Sequence, residues 1–221
     1  MAKKITAAIF DMDGTVLNTL YDLTDSVNYV LERFGLPKRK PEEYRQFFGY
    51  GIRYAIEHAA PEGTPDDVID RMLPVFKEYY NLHCLDKTGP YDGILELMDR
   101  LRAKGYRMAI VSNKIDSAVK ELNERFFNGY VDVAVGEREG VQRKPAPDMV
   151  EWALKEMGKE KEEAVYIGDS EVDLNTASNS ALPCISVLWG FRDREFLAEK
   201  GATYFAKTPE EIEDLLEKIN S

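Results

Sequence analysis

The stretch Ile9-Phe10-Asp11-Met12-Asp13-Gly14-Thr15-Val16-Leu17 decides the fold of this chain. A short apolar run ends at Asp11, and two carboxylates one residue apart then lead into a glycine turn. Because residues i and i+2 of a strand point to the same side, we expect Asp11 and Asp13 to face one small volume just beyond a strand. Like charges so close favour a cation between them or a retained proton. The alternative interpretation is a strand followed by an ordinary Asp-Gly turn.

Three later segments also set polar residues beside apolar runs or loop-forming prolines. Met108-Ala109-Ile110-Val111 leads to Ser112-Asn113-Lys114, and Ala164-Val165-Tyr166-Ile167 leads to Gly168-Asp169-Ser170-Glu171-Val172-Asp173. The segment Arg143-Lys144-Pro145-Ala146-Pro147 puts a lysine before prolines that cannot continue a helix. Ligands of open α/β sheets bind outside the carboxyl ends of the strands. We therefore expect a single site that holds Asp11, Asp13, Ser112, Lys144, Asp169 and Asp173.

Each segment taken alone has a plainer interpretation. Ser112-Asn113 could cap a following helix, Lys144 could be a surface lysine, and Gly168-Asp169-Ser170 could be a simple turn. Their joint occurrence along one chain favours a shared site over independent structural roles.

The pattern of apolar residues divides the chain into two parts. Four helical stretches with no convincing strand follow the first motif, at residues 20–34, 42–48, 52–60 and 65–82. We interpret residues 17–87 as an inserted helical domain, and residues 1–16 and 88–221 as the main domain. From there helices alternate with strands at 107–111, 131–135, 165–167, 184–188 and Tyr204. That alternation predicts an α/β domain with a doubly wound parallel sheet.

Composition excludes several classes of partner. The 221 residues carry a net charge of −11, which argues against nucleic acid because such binding needs a basic surface. No apolar run approaches the length of a membrane span, and the N-terminal residues do not resemble a signal peptide. Cys84 and Cys184 have neither metal-ligand spacing nor enough neighbours for a disulfide framework. We therefore expect a cytoplasmic monomer or homodimer.

The order of the motifs, Asp-x-Asp-Gly-Thr, then Ser-Asn, then Lys-Pro, then Gly-Asp-Ser-x-x-Asp, resembles the haloacid dehalogenase-like hydrolase superfamily. Val111-Ser112-Asn113-Lys114, Lys144-Pro145-Ala146-Pro147-Asp148 and the Gly168–Asp173 motif are most similar to its phosphoglycolate phosphatase subgroup. The resemblance covers nearly the whole chain. It implies a sheet with the Asp11 strand at its centre, a helical cap as the inserted domain, and Mg²⁺ as cofactor.

Phosphate ester hydrolysis gives each motif residue a role. Asp11 is the candidate nucleophile, since a carboxylate can attack phosphorus to form an aspartyl-phosphate. Asp13 is the candidate general acid and base. The Ser112 hydroxyl and the Asn113 backbone N–H would hold phosphoryl oxygens, and Lys144 would add a fixed positive charge. The resemblance makes Asp11, the backbone carbonyl of Asp13 and Asp169 the Mg²⁺ ligands, with Asp173 holding a water or orienting Lys144.

The inserted domain contains Phe48-Gly49-Tyr50-Gly51-Ile52-Arg53, two glycines at a predicted helix start. Backbone amides at such a position can bind an anion or approach a substrate closely. Relatives use a similarly placed loop to contact the non-reacting part of the substrate, so Gly49, Tyr50 and Arg53 are candidate specificity residues. A turn without any ligand role is the alternative.

The function that these residues predict is a Mg²⁺-dependent phosphatase for a small-molecule phosphate monoester, phosphoglycolate being one candidate. A phosphosugar mutase of the same superfamily is the alternative, and it would transfer the phosphoryl group to a second hydroxyl rather than to water. A catalytically silent binding or regulatory protein is a third possibility, because fold does not fix function.

Overall fold

The computed structural model describes residues 4–221 of the chain. The N-terminal segment that was predicted not to be a signal peptide starts at residue 1, so its first three residues lie outside the described part. The described residues form two compact units. The α/β unit consists of two segments of the chain, one that ends at Leu17 and one that begins at Pro90. The helical unit runs from Asn18 to Gly89 between them in the sequence. These boundaries lie one and two residues beyond those predicted from the sequence.

The α/β unit is built on a six-stranded sheet in which all neighbouring strands are parallel. In chain order the strands are β1 Ala7–Phe10, β2 Leu17–Asn18, β3 Gly89–Pro90, β4 Arg107–Ile115, β5 Val133–Glu137, β6 Ala164–Gly168, β7 Cys184–Val187 and β8 Tyr204–Ala206. The order in the sheet is β5-β4-β1-β6-β7-β8, and the short strands β2 and β3 pair separately. The strand that precedes Asp11 therefore lies between β4 and β6.

Ten α-helices accompany these strands in the described chain. The helical unit holds α1 Leu20–Arg33, α2 Pro41–Tyr44, α3 Ile52–Ala59 and α4 Asp66–His83. The α/β unit holds α5 Ile94–Ala103, α6 Asp116–Phe126, α7 Asp148–Met157, α8 Glu171–Asn179, α9 Arg194–Glu199 and α10 Pro209–Ile219. No described helix has the length and apolar character that a membrane crossing needs.

Alternate residues of β1 belong to two different hydrophobic layers. Ala8 and Phe10 join a core cluster that includes apolar residues of α5, α6 and α10. Ala7 and Ile9 join a second cluster with residues of α7 and α8. A strand buried on both faces reads as a continuous apolar run, as this one does. Helices thus cover both faces of the sheet, and the predicted doubly wound parallel fold is confirmed.

Several predicted elements differ from the structure in their ends. The helix expected at 42–48 stops at Tyr44 and is followed by turns, in which the Phe48 ring stacks on Tyr44 at 5.6 Å between centroids. Strand β5 lies at 133–137 instead of 131–135, and β4 continues to Ile115 with a register shift after Val111. Strands β2 and β3 were not predicted, because two residues are too short to show a period.

The helical unit has its own core and one buried anchor near its end. Its buried apolar side chains include Val27, Val30, Leu31, Tyr44, Ile56, Ile69, Met72 and Phe76. Asp22 of α1 is also buried, and its Oδ2 accepts hydrogen bonds from Lys87 N at 3.0 Å, Thr88 N at 2.9 Å and Thr88 Oγ1 at 2.8 Å. One carboxylate thereby ties the segment before β3 to the first helix.

Replacing Asp22 by Ala should lower the free energy of unfolding by about 1–3 kcal/mol, because the buried N–H and hydroxyl of Thr88 and the partly buried N–H of Lys87 lose their acceptor. Asp25 on the same helix is the matched control, since it pairs with the exposed Lys87 ammonium at 2.6 Å. Asp25→Ala should leave the stability almost unchanged. Urea unfolding of both variants makes the comparison, and equal losses would show that the Asp22 hydrogen bonds do not anchor this segment.

Candidate active site

The ammonium group of Lys144 lies between two buried carboxylates. Its Nζ is 2.8 Å from Asp11 Oδ1 and 2.8 Å from Asp173 Oδ1. Asp11 follows the last residue of β1, Asp173 lies in the first turn of α8, and Lys144 is in the loop between β5 and α7. Lys144 is only 3% exposed. Three motifs that are distant in sequence therefore meet within direct ion-pair distance.

The surroundings of Lys144 keep it charged. Burial works against the ammonium form, but the carboxylates of Asp11 and Asp173 outweigh it and hold the pKa of Lys144 well above its usual value. Nζ also donates to the hydroxyl of Tyr166 at 3.1 Å, and Asn113 Nδ2 donates to the Lys144 carbonyl at 3.0 Å. Tyr166 was not predicted as a site residue, because in the sequence it reads as one more buried residue of an apolar strand.

Burial dominates the electrostatics of Asp11. It raises the pKa of Asp11 from 3.8 to about 7, Lys144 opposes the rise, and the charge of Asp173 adds to it. The backbone N–H of Met12 donates to Asp11 Oδ1 at 2.7 Å, which fixes the orientation of the carboxylate. A charged carboxylate at this position therefore depends on nearby positive charge.

Asp169 and Asp173 are held by the backbone around them. Asp173 Oδ2 accepts from Asp169 N at 3.1 Å, from Ser170 N at 3.0 Å and from Ser170 Oγ at 2.7 Å. Since Asp173 Oδ1 pairs with Lys144, both oxygens of this carboxylate have partners. Burial and the charges of Asp173 and Asp11 raise the pKa of Asp169 well above its usual value.

The three buried carboxylates fit a small hard cation. One oxygen from each of Asp11, Asp169 and Asp173 can be chosen so that all three lie within 4.8 Å of one another. Three carboxylates against a single lysine leave an excess of negative charge in a buried volume, and such charge needs compensation. Oxygen donors of this kind are those that Mg²⁺ prefers. The donor set therefore suits the cofactor implied by the sequence.

Asp13 lies nearer to solvent and has a lysine partner of its own. Lys114 Nζ is 3.0 Å from Asp13 Oδ1, and the two side chains are 6% and 16% exposed. No role was predicted for Lys114, although it belongs to the same polar segment as Ser112 and Asn113. Gly14 follows with φ of +84°, and a Cβ there would lie 2.4 Å from Asp169 Oδ2. Only glycine fits between the two motifs.

Ser112 and Asn113 are buried at the irregular end of β4. They were predicted as a tip after the strand, and the strand instead continues through them to Ile115. The backbone N–H of Lys114 donates to Ser112 Oγ at 3.3 Å. The Ser112 hydroxyl therefore lies close to the backbone of Lys114, whose side chain pairs with Asp13.

The three candidate specificity residues belong to the helical unit. Gly49 and Tyr50 precede α3, Arg53 lies in its first turn, and the rings of Tyr50 and Tyr54 are 4.7 Å apart. Arg53 forms ion pairs with the acidic side chains of its own unit, namely Glu57, Asp66 and Asp70. These contacts give Arg53 a structural role that the sequence did not indicate.

Comparison with known proteins adds independent evidence. The family model of the haloacid dehalogenase-like hydrolases matches residues 8–187. A phosphoglycolate phosphatase of Mesorhizobium japonicum is 32% identical over 190 residues, which cover 84% of each protein. The pyrophosphatase PpaX of Listeria monocytogenes is 30% identical, with 90% of each protein covered.

A solved structure is similar along nearly the whole chain. The crystal structure of a Lactobacillus delbrueckii subsp. bulgaricus protein assigned as a phosphoglycolate phosphatase has 43% sequence identity and a TM-score of 0.93. The match covers 97% of this chain and 99% of that one. The resemblance drawn from the four sequence motifs is thereby confirmed.

Replacing Lys144 by Met should destabilise the protein by about 3–5 kcal/mol in the absence of divalent metal, because it strands buried carboxylates without a counter-charge. Urea unfolding in the presence of a chelator gives the measurement. Adding Asp173→Asn to Lys144→Met should recover part of the loss. Lys120→Met removes the exposed lysine that pairs with Asp116 in α6 and should have little effect. A similar stability for both single variants would contradict the account of the buried charges.

Proposed function

We propose that this chain, which belongs to the haloacid dehalogenase-like hydrolase family, hydrolyses a small-molecule phosphate monoester with Mg²⁺ through an aspartyl-phosphate on Asp11. Family membership and phosphatase relatives make the chain a phosphatase. The observation that carries the finer proposal is the buried Lys144 between Asp11 and Asp173, with Asp169 beside them. This arrangement supports the proposal, because it brings the candidate nucleophile, a buried ammonium group and a candidate metal ligand together.

Asp11 is proposed to act as the nucleophile in a two-step reaction. In the first step an Asp11 oxygen forms a bond to phosphorus, the ester P–O bond breaks, and Asp13 gives a proton to the leaving oxygen. In the second step water attacks phosphorus, Asp13 takes a proton from that water, and the bond from Asp11 to phosphorus breaks. Inorganic phosphate leaves and both aspartates return to their starting states.

Charge compensation decides whether Asp11 can attack an anionic phosphate. Lys144 stabilises the ionised carboxylate against the effect of burial, and its charge stays in place throughout the reaction. Asp11, Asp169 and the backbone carbonyl of Asp13 would hold Mg²⁺, with Asp173 orienting Lys144 or binding a metal-bound water. When bound, the cation would reduce the repulsion between nucleophile and phosphate and polarise a phosphoryl oxygen.

Asp13 is proposed as the group that transfers protons. It is more exposed than Asp11, so water and a leaving group can reach it, and Lys114 holds one of its oxygens. The Ser112 hydroxyl and the Asn113 backbone N–H are proposed to bind the phosphoryl oxygens. These donors would stabilise charge where it develops during transfer.

The substrate class follows from the relatives and from the helical unit. Relatives named for phosphoglycolate and for pyrophosphate share a small anionic substrate, which supports a small phosphate compound here. We propose that the helical unit, residues 18–89, acts as the cap domain and that Gly49, Tyr50 and Arg53 contribute to substrate choice. We propose a cytoplasmic location, which agrees with the thiol state of Cys84 and Cys184.

Asp11→Asn should abolish turnover while leaving the fold intact, because the amide keeps the shape of the side chain and loses the nucleophile. Initial rates with p-nitrophenyl phosphate and phosphoglycolate, together with circular dichroism, test this.

Wild-type protein should lose activity on chelation and regain it with Mg²⁺. Appreciable hydrolysis by wild type in the presence of the chelator would rule out the metal-assisted mechanism.

Arg53→Ala should reduce kcat/KM for the preferred small substrate by about 10- to 150-fold, if Arg53 makes one charge-assisted contact to its non-reacting end. Hydrolysis of p-nitrophenyl phosphate, which lacks that anionic end, should change little. A panel of phosphoglycolate, inorganic pyrophosphate and other small phosphate esters identifies the preferred substrate first.

Arg71 provides a matched control for Arg53, since it is an exposed arginine of α4 paired with Asp67. Arg71→Ala should leave kcat/KM unchanged for both the preferred substrate and p-nitrophenyl phosphate. Equal losses on both substrates for Arg53→Ala, accompanied by a lower Tm, would assign Arg53 only to its ion pairs with Glu57, Asp66 and Asp70.

A further inference from the structure

The loop that follows β7, Trp189-Gly190-Phe191-Arg192, lies directly against the carboxylate of Asp169. The backbone N–H of Phe191 donates to Asp169 Oδ2 at 2.6 Å. A Cβ on Gly190 would lie 2.3 Å from Asp169 Cβ and 2.4 Å from the Gly14 carbonyl oxygen. Close approach therefore requires glycine at position 190.

Two side chains anchor the 189–192 loop on either side of that contact. Trp189 Nε1 donates to the Thr15 carbonyl at 2.9 Å, which ties the loop to the turn after Asp13. Arg192 Nε lies 2.7 Å from Glu171 Oε2, and Arg192 Nη2 lies 2.9 Å from Glu171 Oε1. Glu171 is two residues after Asp169 and begins α8. The loop is thus fastened to both motifs that flank the site.

The Glu171–Arg192 pair is bidentate and buried, with side chains 10% and 6% exposed. Two parallel N–H···O bonds fix the relative orientation of their groups more strictly than a single ion pair does. A buried ion pair is weak evidence for stability, because apolar residues of similar size often stabilise as well. Its geometric effect is more specific here, since it sets the distance between the start of α8 and the N–H group that holds Asp169.

We propose that Glu171 and Arg192 are positioning residues that hold the Asp169 carboxylate in the orientation needed to bind a divalent cation. Neither touches the reacting atoms, and both act through the Phe191 N–H and the backbone around Asp169. The inference rests on the proposed function only in assigning Asp169 to the metal. Partners that orient metal ligands typically change metal affinity by about 10- to 100-fold when mutated.

Binding of Mn²⁺ alone, without substrate, tests the inference apart from catalysis. Free Mn²⁺ is measured by electron paramagnetic resonance during titration of wild type, Glu171→Gln and Arg192→Lys. Both variants should raise the Kd by about 10- to 100-fold. Glu213→Gln is the matched control, because Glu213 is a shielded partner of Arg100 and Lys104 in the same unit. It should lower Tm and leave the Mn²⁺ Kd unchanged.

A double variant, Glu171→Met with Arg192→Leu, separates positioning from stability. It removes both charges, so Tm should recover relative to Glu171→Gln while the Mn²⁺ affinity stays low. Wild-type affinity in the double variant, or in both single variants, would overturn the proposal.

Asp169→Asn must weaken Mn²⁺ binding more than any of these variants. Unchanged affinity in Asp169→Asn would overturn the proposal by removing Asp169 from the metal site. Normal Mn²⁺ binding by wild type with no hydrolysis of any phosphate ester would instead contradict the proposed function alone.

Discussion

The burial of Lys144 between Asp11 and Asp173 is the constraint on which the rest of the site depends. Burial raises the pKa of Asp11 to about 7, and Lys144 counteracts that rise. Asp169 is also buried and lies near these two carboxylates, so a fully ionised group of three carboxylates and one ammonium carries two negative charges in excess. A divalent cation would neutralise that excess. Without a cation, the repulsion among these buried carboxylates destabilises the ionised cluster. The same negative charge would let the cluster bind a divalent cation, and the bound cation would then let it accept a phosphate group.

The parallel sheet explains how residues so distant in sequence reach this cluster. Strands β1 and β6 are neighbours, so Asp11 and Asp169 both lie just past the carboxyl ends of adjacent strands. The first turn of α8 brings Asp173 back over the same edge, and backbone N–H groups hold its Oδ2. Helices on both faces of the sheet leave this edge to the loops. The fold positions the carboxylates, and Lys144 enters from the loop before α7.

The sequence predicted the class of fold and the residues at the strand ends because both leave short-range signals. A run such as residues 7–10 is apolar and stops at a carboxylate, and Gly14 marks a turn that no other residue fits. Contacts that depend on three-dimensional neighbours left no such signal. Tyr166 reads as a core residue, and the 189–192 loop carries no carboxylate that would connect it to the site. The ion pairs of Arg53 depend on how α3 packs beside α4.

Mass analysis of an Asp13→Asn variant tests the central claim most directly. This variant keeps the nucleophile and lacks the base that activates water, so an ester with a good leaving group should phosphorylate it without rapid turnover. After mixing with p-nitrophenyl phosphate and Mg²⁺ and an acid quench, the intact protein should gain the mass of one phosphoryl group. Peptide mapping should place that group on Asp11. A phosphoryl group on any other residue would contradict the assignment of Asp11 as the nucleophile beside Lys144.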